Sequence, residues 1–206
     1  MNKKFLTLSA TGIAAAIALA GCASGSGTGS SGTTMPMNHG STSASAPSSS
    51  APAAAADHNA ADVTFAQMMI PHHAQAVQMN DMMLKKQNAP AEVTALATKI
   101  KAAQGPEIET MTGWLKGWNE STQMPSGHSM DGMMSDADMK NLESAQGAEA
   151  ARLFLKQMIA HHEGAIMMAK TENTAGKNAD AVKLSKDIVT AQETEIQEMQ
   201  KLLATL

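Results

Sequence analysis

With a single cysteine, Cys22, the 206-residue chain can close no intramolecular disulfide and build no thiolate metal cluster. Tyrosine is absent and phenylalanine occurs three times. The formal charge is −4 and there is no basic run, which argues against nucleic acid as a partner. No serine or cysteine nucleophile arrangement and no phosphate-binding loop can be found, so nothing marks a catalytic residue. Period-2 alternation is missing, which argues against strands. The chain is rich instead in soft donors, with eighteen methionines and seven histidines. One stretch, "MMIPHHAQAVQMNDMML" (68–84), holds two adjacent histidines and five methionines.

The N-terminal part is not expected to belong to the fold. "MNKKFLTLSATGIAAAIALAGC" has two lysines, then an apolar run too short for an ordinary spanning helix, then Leu19-Ala20-Gly21-Cys22. This is a secretory layout, and its last four residues resemble the lipobox of bacterial lipoproteins. The expectation is a signal peptide over 1–21, lipid on Cys22, and an exported protein held to a membrane outside the cytoplasm. Residues 22–56 are mainly Ser, Thr, Gly, Ala and Pro, a composition with little to bury, and read as a flexible tether. Within it Met35, Met37 and His39 form a small soft-ligand cluster.

About 150 residues remain, enough for one domain with a real core. They contain an internal repeat. "FAQMMIPHHAQAVQM" (65–79) aligns with "FLKQMIAHHEGAIMM" (154–168), and "AQGPEIETMTGWL" (103–115) with "AQETEIQEMQKLL" (191–203). Each copy is dominated by helix formers and broken once, near Pro90 and near Gly176. Two helical hairpins, 57–120 and 136–206, therefore predict an all-α, four-helix up-down bundle, joined by a Met-rich linker over 121–135. A short extra helix is expected near 136–145. Pro71, where the second copy has Ala160, predicts a kink or a late helix start.

At 100° per residue, Phe65, Met68, His72, Ala76, Met79 and Met83 share one stripe, repeated by Phe154, His161, Ala165, Met168 and Glu172. Met69 and Met158 flank it, beside His73 and His162. The second helix of each hairpin has a 4-3 seam. In the first copy it is Ala97, Ile100, Gln104, Glu107, Met111, Trp114 and Trp118. In the second it is Ser185, Ile188, Gln192, Glu195, Met199, Leu202 and Leu206. A glutamate on such a seam needs a partner, and its level along the bundle places the histidine pairs opposite it.

Methionine can be a flexible filler of gaps, and His and Glu can satisfy one another in a polar core layer. The metal reading gives these residues more to do. A central layer would hold His72, His73, His161 and His162, with Met69 and Met158 in reach. A second layer would hold Met79, Met83 and Met168. Glu107 and Glu195, with Gln104 and Gln192, would fix ring orientation. His128, Met130, Met133 and Met134 would add ligands on a mobile loop. Thioether favours Cu(I), so a Met/His set outside the cytoplasm points to copper, with iron, manganese or zinc as alternatives. The competing function is a His/Glu di-metal oxidase, although di-iron bundles use four carboxylates and Glu-x-x-His.

The paired "MIPHH" and "MIAHHEGAIMMA" blocks, each followed by "AQ..EI..M", resemble the domain of unknown function 305 family, the CopM-like proteins. That resemblance implies a ferritin-like four-helix bundle, exported, binding copper or silver and protecting against excess copper. Its repeated motif is matched by His72, His73, Met69, Met79, His161, His162, Met158 and Met168. A metal-transfer protein or a second copy of the chain are the expected partners beyond the ion and the membrane.

Overall fold

The computed structural model describes residues 57–124 and 130–206. The signal peptide, the tether, Cys22, Met35, Met37, His39 and His128 lie outside the described residues. Five helices follow one another: α1 (Ala60–Leu84), α2 (Ala91–Gly117), α3 (Asp136–Ser144), α4 (Gly147–Ala175) and α5 (Ala179–Thr205). No strand occurs among the described residues.

Local chemistry sets the helix ends. Asn59 accepts from the amides of Ala61 and Asp62, while Asp62 reaches back to the Asn59 amide at 2.6 Å, a capping box that starts α1. A late start at Pro71 is therefore corrected: α1 begins well before the proline and runs through it. Only one amide is lost there, and flanking packing compensates. Ser135 and Asp138 form a second capping box, so the short helix expected near 136–145 is α3. Asn178 caps α5, and Asn88 turns the first hairpin with a positive φ of 56°, which asparagine tolerates.

α1 packs on α2 and α4 on α5, and the two hairpins meet through α1 and α4, while α2 and α5 barely touch. The Asn59 side chain donates to the Ala175 carbonyl at 2.8 Å, so the start of α1 lies at the end of α4. The two helices that carry the histidine pairs thus run antiparallel, and the copies are related as by a two-fold axis. Apolar clusters occupy both ends. One holds Met79, Met83, Ile100, Phe154, Leu155 and Met158, with Met139 and Leu142 of α3. The other holds Phe65, Met69, Met111, Leu115, Ala165 and Ile188. Burying each large side chain contributes about 1.5–3 kcal/mol. Between the clusters the core turns polar.

The seam of α2 departs from the sequence expectation at its last turns. Ala97, Ile100, Gln104 and Met111 are buried, but Leu115 takes the core position expected for Trp114. Trp114 and Trp118 lie half-buried and stack on one another, and His58 stacks on Trp118 at 4.5 Å. The two indoles pack against the apolar cluster from its edge, as suits a side chain with an apolar body and a polar N–H.

Where α1 begins and α4 ends, Asp62 and Glu172 are both buried. Asp62 accepts from the amides of Asn59, Lys177 and Asn178. Burial alone would raise its pKa, but the hydrogen bonds from Glu172, Asn178, Asn59 and Lys177 outweigh it and hold the carboxyl below its usual range. Glu172 is pushed up to about 8, first by burial, then by its hydrogen bond to Asp62 and that group's charge. The pair therefore shares a proton at neutral pH.

Between pH 4.5 and about 8 the folded chain keeps a proton on Glu172 that the unfolded chain releases, so this site costs stability as pH rises. Glu172→Gln removes that dependence. Relative to the native chain it should gain more than about 1 kcal/mol between pH 5 and 8. Urea unfolding of both proteins at the two pH values measures this, and a pH-independent difference would show that Glu172 is ionised in the fold.

Candidate metal centre

Adjacent residues on a helix point about 100° apart, so the two histidines of each pair face different neighbours. The first of each pair points into the α1–α4 contact, where the rings of His72 and His161 meet with centroids 3.7 Å apart, tilted by 39°. The second turns toward the other helix of its own hairpin. His73 Nε2 lies 2.7 Å from Glu107 Oε2, and His162 Nε2 lies 2.9 Å from Glu195 Oε2. The carboxylates thus meet the second histidine of each pair. Glu195 is nearly buried, with 7% of its side chain exposed, whereas Glu107 is 22% exposed and closes the layer at its surface.

A carboxylate only accepts, so the facing Nε2 carries the hydrogen and Nδ1 keeps its lone pair. His72 Nε2 likewise faces the Asp131 carbonyl, at 3.3 Å. The Nδ1 atoms of all four rings are buried without a partner, and His161 has no partner at either nitrogen. Burial is the main reason that His72 falls to about 3, with the charge of neighbouring His73 adding to it. His161 is driven well below its ordinary range by burial and by His72, His162 and His73. His162 is also lowered by burial, against the pull of Glu195. Burial thus disfavours protonation of His72, His161 and His162, which leaves their lone pairs open to another partner. Without a metal the layer weakens the fold as pH drops from 6.5 toward 3, because the unfolded chain then takes protons that His72 refuses.

Met69 and Met158 are fully buried, one helical turn before each pair. Because α1 and α4 are antiparallel, they bracket the imidazole layer from opposite sides. Among the described residues no group of three or more His, Cys, Asp or Glu side chains could hold a metal ion on its own. Imidazole and thioether together make a soft donor set of the kind that suits Cu(I).

The second methionine layer does not form. Met79 and Met83 lie in the cluster beyond one side of the histidines, and Met168 packs against the cluster beyond the other. Helical stripes show which residues share a face but not the direction of the partner helix, and the antiparallel contact separates these three. Gln104 and Gln192 are buried in the seams, each with an unpartnered side-chain oxygen.

The Met-rich linker differs from the mobile loop expected. Over Met130–Met134 it is pinned across the α1–α4 groove beside the histidines. Gln75 donates to the Met134 carbonyl at 2.9 Å and accepts from the Met134 amide at 2.7 Å. Gly132, at φ +81°, comes so close that a Cβ would lie 2.6 Å from the Ala160 carbonyl and 3.1 Å from that of His161. A Cβ on Gly164 would overlap the Asp131 carbonyl. Gln75 and Gly164 occupy the same place in the two copies, so one copy supplies the bonds and the other the space. Sequence reasoning missed Gln75, Asp131, Gly132 and Gly164, because the Gln75/Gly164 difference is one of several between the two copies and carries no periodic signal.

The family described as domain of unknown function (DUF305) matches residues 62–203. A DUF305 protein of Streptomyces coelicolor, presumed to be secreted, is 34% identical over 70% of this chain and 91% of its own, with a TM-score of 0.68. A DUF305 fragment from Deinococcus radiodurans is 30% identical, covering 73% of this chain and 100% of that one, with a TM-score of 0.67. CopM in its Cu(I)-bound form is 33% identical over 70% of this chain and 96% of that chain, with a TM-score of 0.60. CopM is also known in Cu(II)-bound and Ag-bound forms. No curated protein matches the chain.

Gly164→Ala should push the strap off α4 while leaving the helices in place. The Met134 amide, protected in the native chain by Gln75, should then exchange its hydrogen at least about tenfold faster, a local opening with unchanged helical signal. Amide exchange at Met134 reads this directly, and wild-type protection would show that the strap is held elsewhere.

Proposed function

The chain belongs to the DUF305 family, and on that premise we propose that it is an exported lipoprotein that takes Cu(I) as cargo. Ag(I) fits the same donors. The role is sequestration, tolerance or delivery of the ion rather than catalysis. The observation that carries this reading is the buried layer of four histidines. In it two rings are held at Nε2 by Glu107 and Glu195 and all four Nδ1 atoms lack a partner. An apolar layer would pack there without unpaired nitrogens, which cost free energy when buried. His72, His73, His161 and His162 supply imidazole, and Met69 and Met158 supply thioether. The carboxylates hold tautomer and ring orientation. CopM, of the same fold, binds Cu(I), Cu(II) and Ag, which supports copper over iron, manganese or zinc.

Met130, Met133 and Met134, on the strap beside the layer, would receive an ion on its way in or out; His128 precedes them in sequence. Met35, Met37 and His39 would serve the same purpose from the tether. Met79, Met83 and Met168, away from the histidines, would act as soft contacts beyond the central layer. A metal-accepting protein or a second copy of this chain would receive the ion.

Two results are expected. Replacing His72 and His161 together by Ala should abolish the tightest Cu(I) binding in an anaerobic titration. Glu107→Gln with Glu195→Gln should weaken it by about 10–100-fold, as for groups that orient ligands. Stoichiometric iron or manganese, lost in the double Glu variant, with negligible Cu(I) affinity throughout, would instead establish the di-metal oxidase. For the anchor, Cys22→Ala should abolish acylation in cells. Mass spectrometry of a native protein that begins elsewhere and carries no acyl chain would refute it.

A further inference from the structure

The two-fold that relates the hairpins fails at one point of the histidine layer. His73 and His162 are equivalent, each held at Nε2 by the glutamate of its own hairpin, at 2.7 and 2.9 Å. His72 and His161 are not equivalent. His72 Nε2 has the Asp131 carbonyl at 3.3 Å, whereas neither nitrogen of His161 has a partner. The acceptor of His72 is thus a main-chain oxygen of the strap.

The departures from symmetry around the layer act on that oxygen. Gly164 stands where the first copy has Gln75, and a Cβ there would overlap the Asp131 carbonyl. Gly132 lets the next peptide approach α4, since its own Cβ would lie 3.1 Å from Gly164 Cα. Gln75 fixes the far end of the strap, donating to the Met134 carbonyl at 2.9 Å and accepting from its amide at 2.7 Å. The glycines make room for the carbonyl over α4, and the glutamine keeps it there.

A neutral imidazole has one N–H and one lone pair, and an acceptor at Nε2 puts the hydrogen on that side. The lone pair of His72 then stays at Nδ1, buried and unpartnered as in His73 and His162. Three of the four rings thereby offer the same nitrogen, two through carboxylates and one through a peptide carbonyl. Acceptors of this kind fix ring orientation and raise the basicity of the nitrogen that meets a metal. The influence also runs back. An ion on Nδ1 draws electron density from the ring, so the N–H donates more strongly to the carbonyl. Such coupling is reciprocal: whatever factor the docked strap adds to ion affinity, the ion adds to strap docking.

We propose that the Asp131 carbonyl is the positioning group of His72, and that through it the docked strap and an ion in the layer strengthen one another. This coupling rests on the Cu(I) reading of the layer and adds to it, because the strap is then part of the site and not only a cover.

The test uses the full chain labelled with ¹⁵N at histidine. Long-range ¹H–¹⁵N correlations of the ion-free protein should show His72, assigned through His72→Gln, in the Nε2–H form. Gly164→Ala displaces the carbonyl and should leave His72 a mixture of both tautomers, with His73 and His162 unchanged. Gln75→Leu loosens the strap from its far end without adding an atom beside His161, and should act in the same direction. In anaerobic titrations against a competing chelator, each variant should bind Cu(I) at least about tenfold more weakly, the lower end of the range for groups that orient ligands. Cu(I) should in turn slow hydrogen exchange at the Met134 amide of the native chain at least about tenfold. Native affinity in both variants would overturn the coupling. So would a His72 tautomer indifferent to Gly164→Ala, or a Met134 amide that exchanges equally with and without Cu(I). A native chain that takes up no Cu(I) would overturn the copper reading and the coupling with it, whereas uptake without these effects overturns the coupling alone.

Discussion

Everything in this bundle hangs on the antiparallel contact of α1 with α4, at whose centre the His72 ring lies against His161. Imidazoles taken out of water lose hydration that only a partner restores. Here the restoration is partial: Glu107 and Glu195 serve one nitrogen each on His73 and His162, and the Nδ1 atoms of all four rings are left without a partner. The apolar clusters on either side hold the helices together across this layer. Without them, the His72 and His161 rings would separate and hydrate.

The same contact explains why the two copies, matched in their central residues, diverge around them. A perfect two-fold would place identical surfaces on both sides of the histidine layer. Instead Gln75 faces Gly164 across the groove, and a single stretch of backbone fits over both. One end is closed by α3 and the other left with a cleft. Duplication supplies the symmetric donor layer, and the departures from symmetry give it one covered face and one open end.

Much of this was legible in the sequence because helical periodicity and a repeat speak directly to faces. Helix type, two hairpins, α3, the buried histidine pairs and the seam glutamates follow from spacing alone. What could not be read depends on relations between elements. The direction in which α1 meets α4 separates Met79 and Met83 from Met168. At the end of α2 the core position falls to Leu115, with Trp114 packed half-buried at the edge of the cluster. The docking of Met130–Met134 rests on a backbone carbonyl, two glycines and one glutamine amide, none of which leaves a periodic trace.

That docked segment sets how the centre relates to solvent in time. Its hold includes one hydrogen bond donated by Gln75 and one accepted by it, one long contact with His72 and close backbone packing at Gly132 and Gly164. The helices beneath are held by two hydrophobic clusters, so strap and bundle open on separate free-energy scales. For an ion held in the layer as proposed, residence time would follow the opening of a five-residue stretch, Met130–Met134, and not the thermal stability of the domain. A variant could be made far more heat-resistant through its clusters and still open its strap at the same rate.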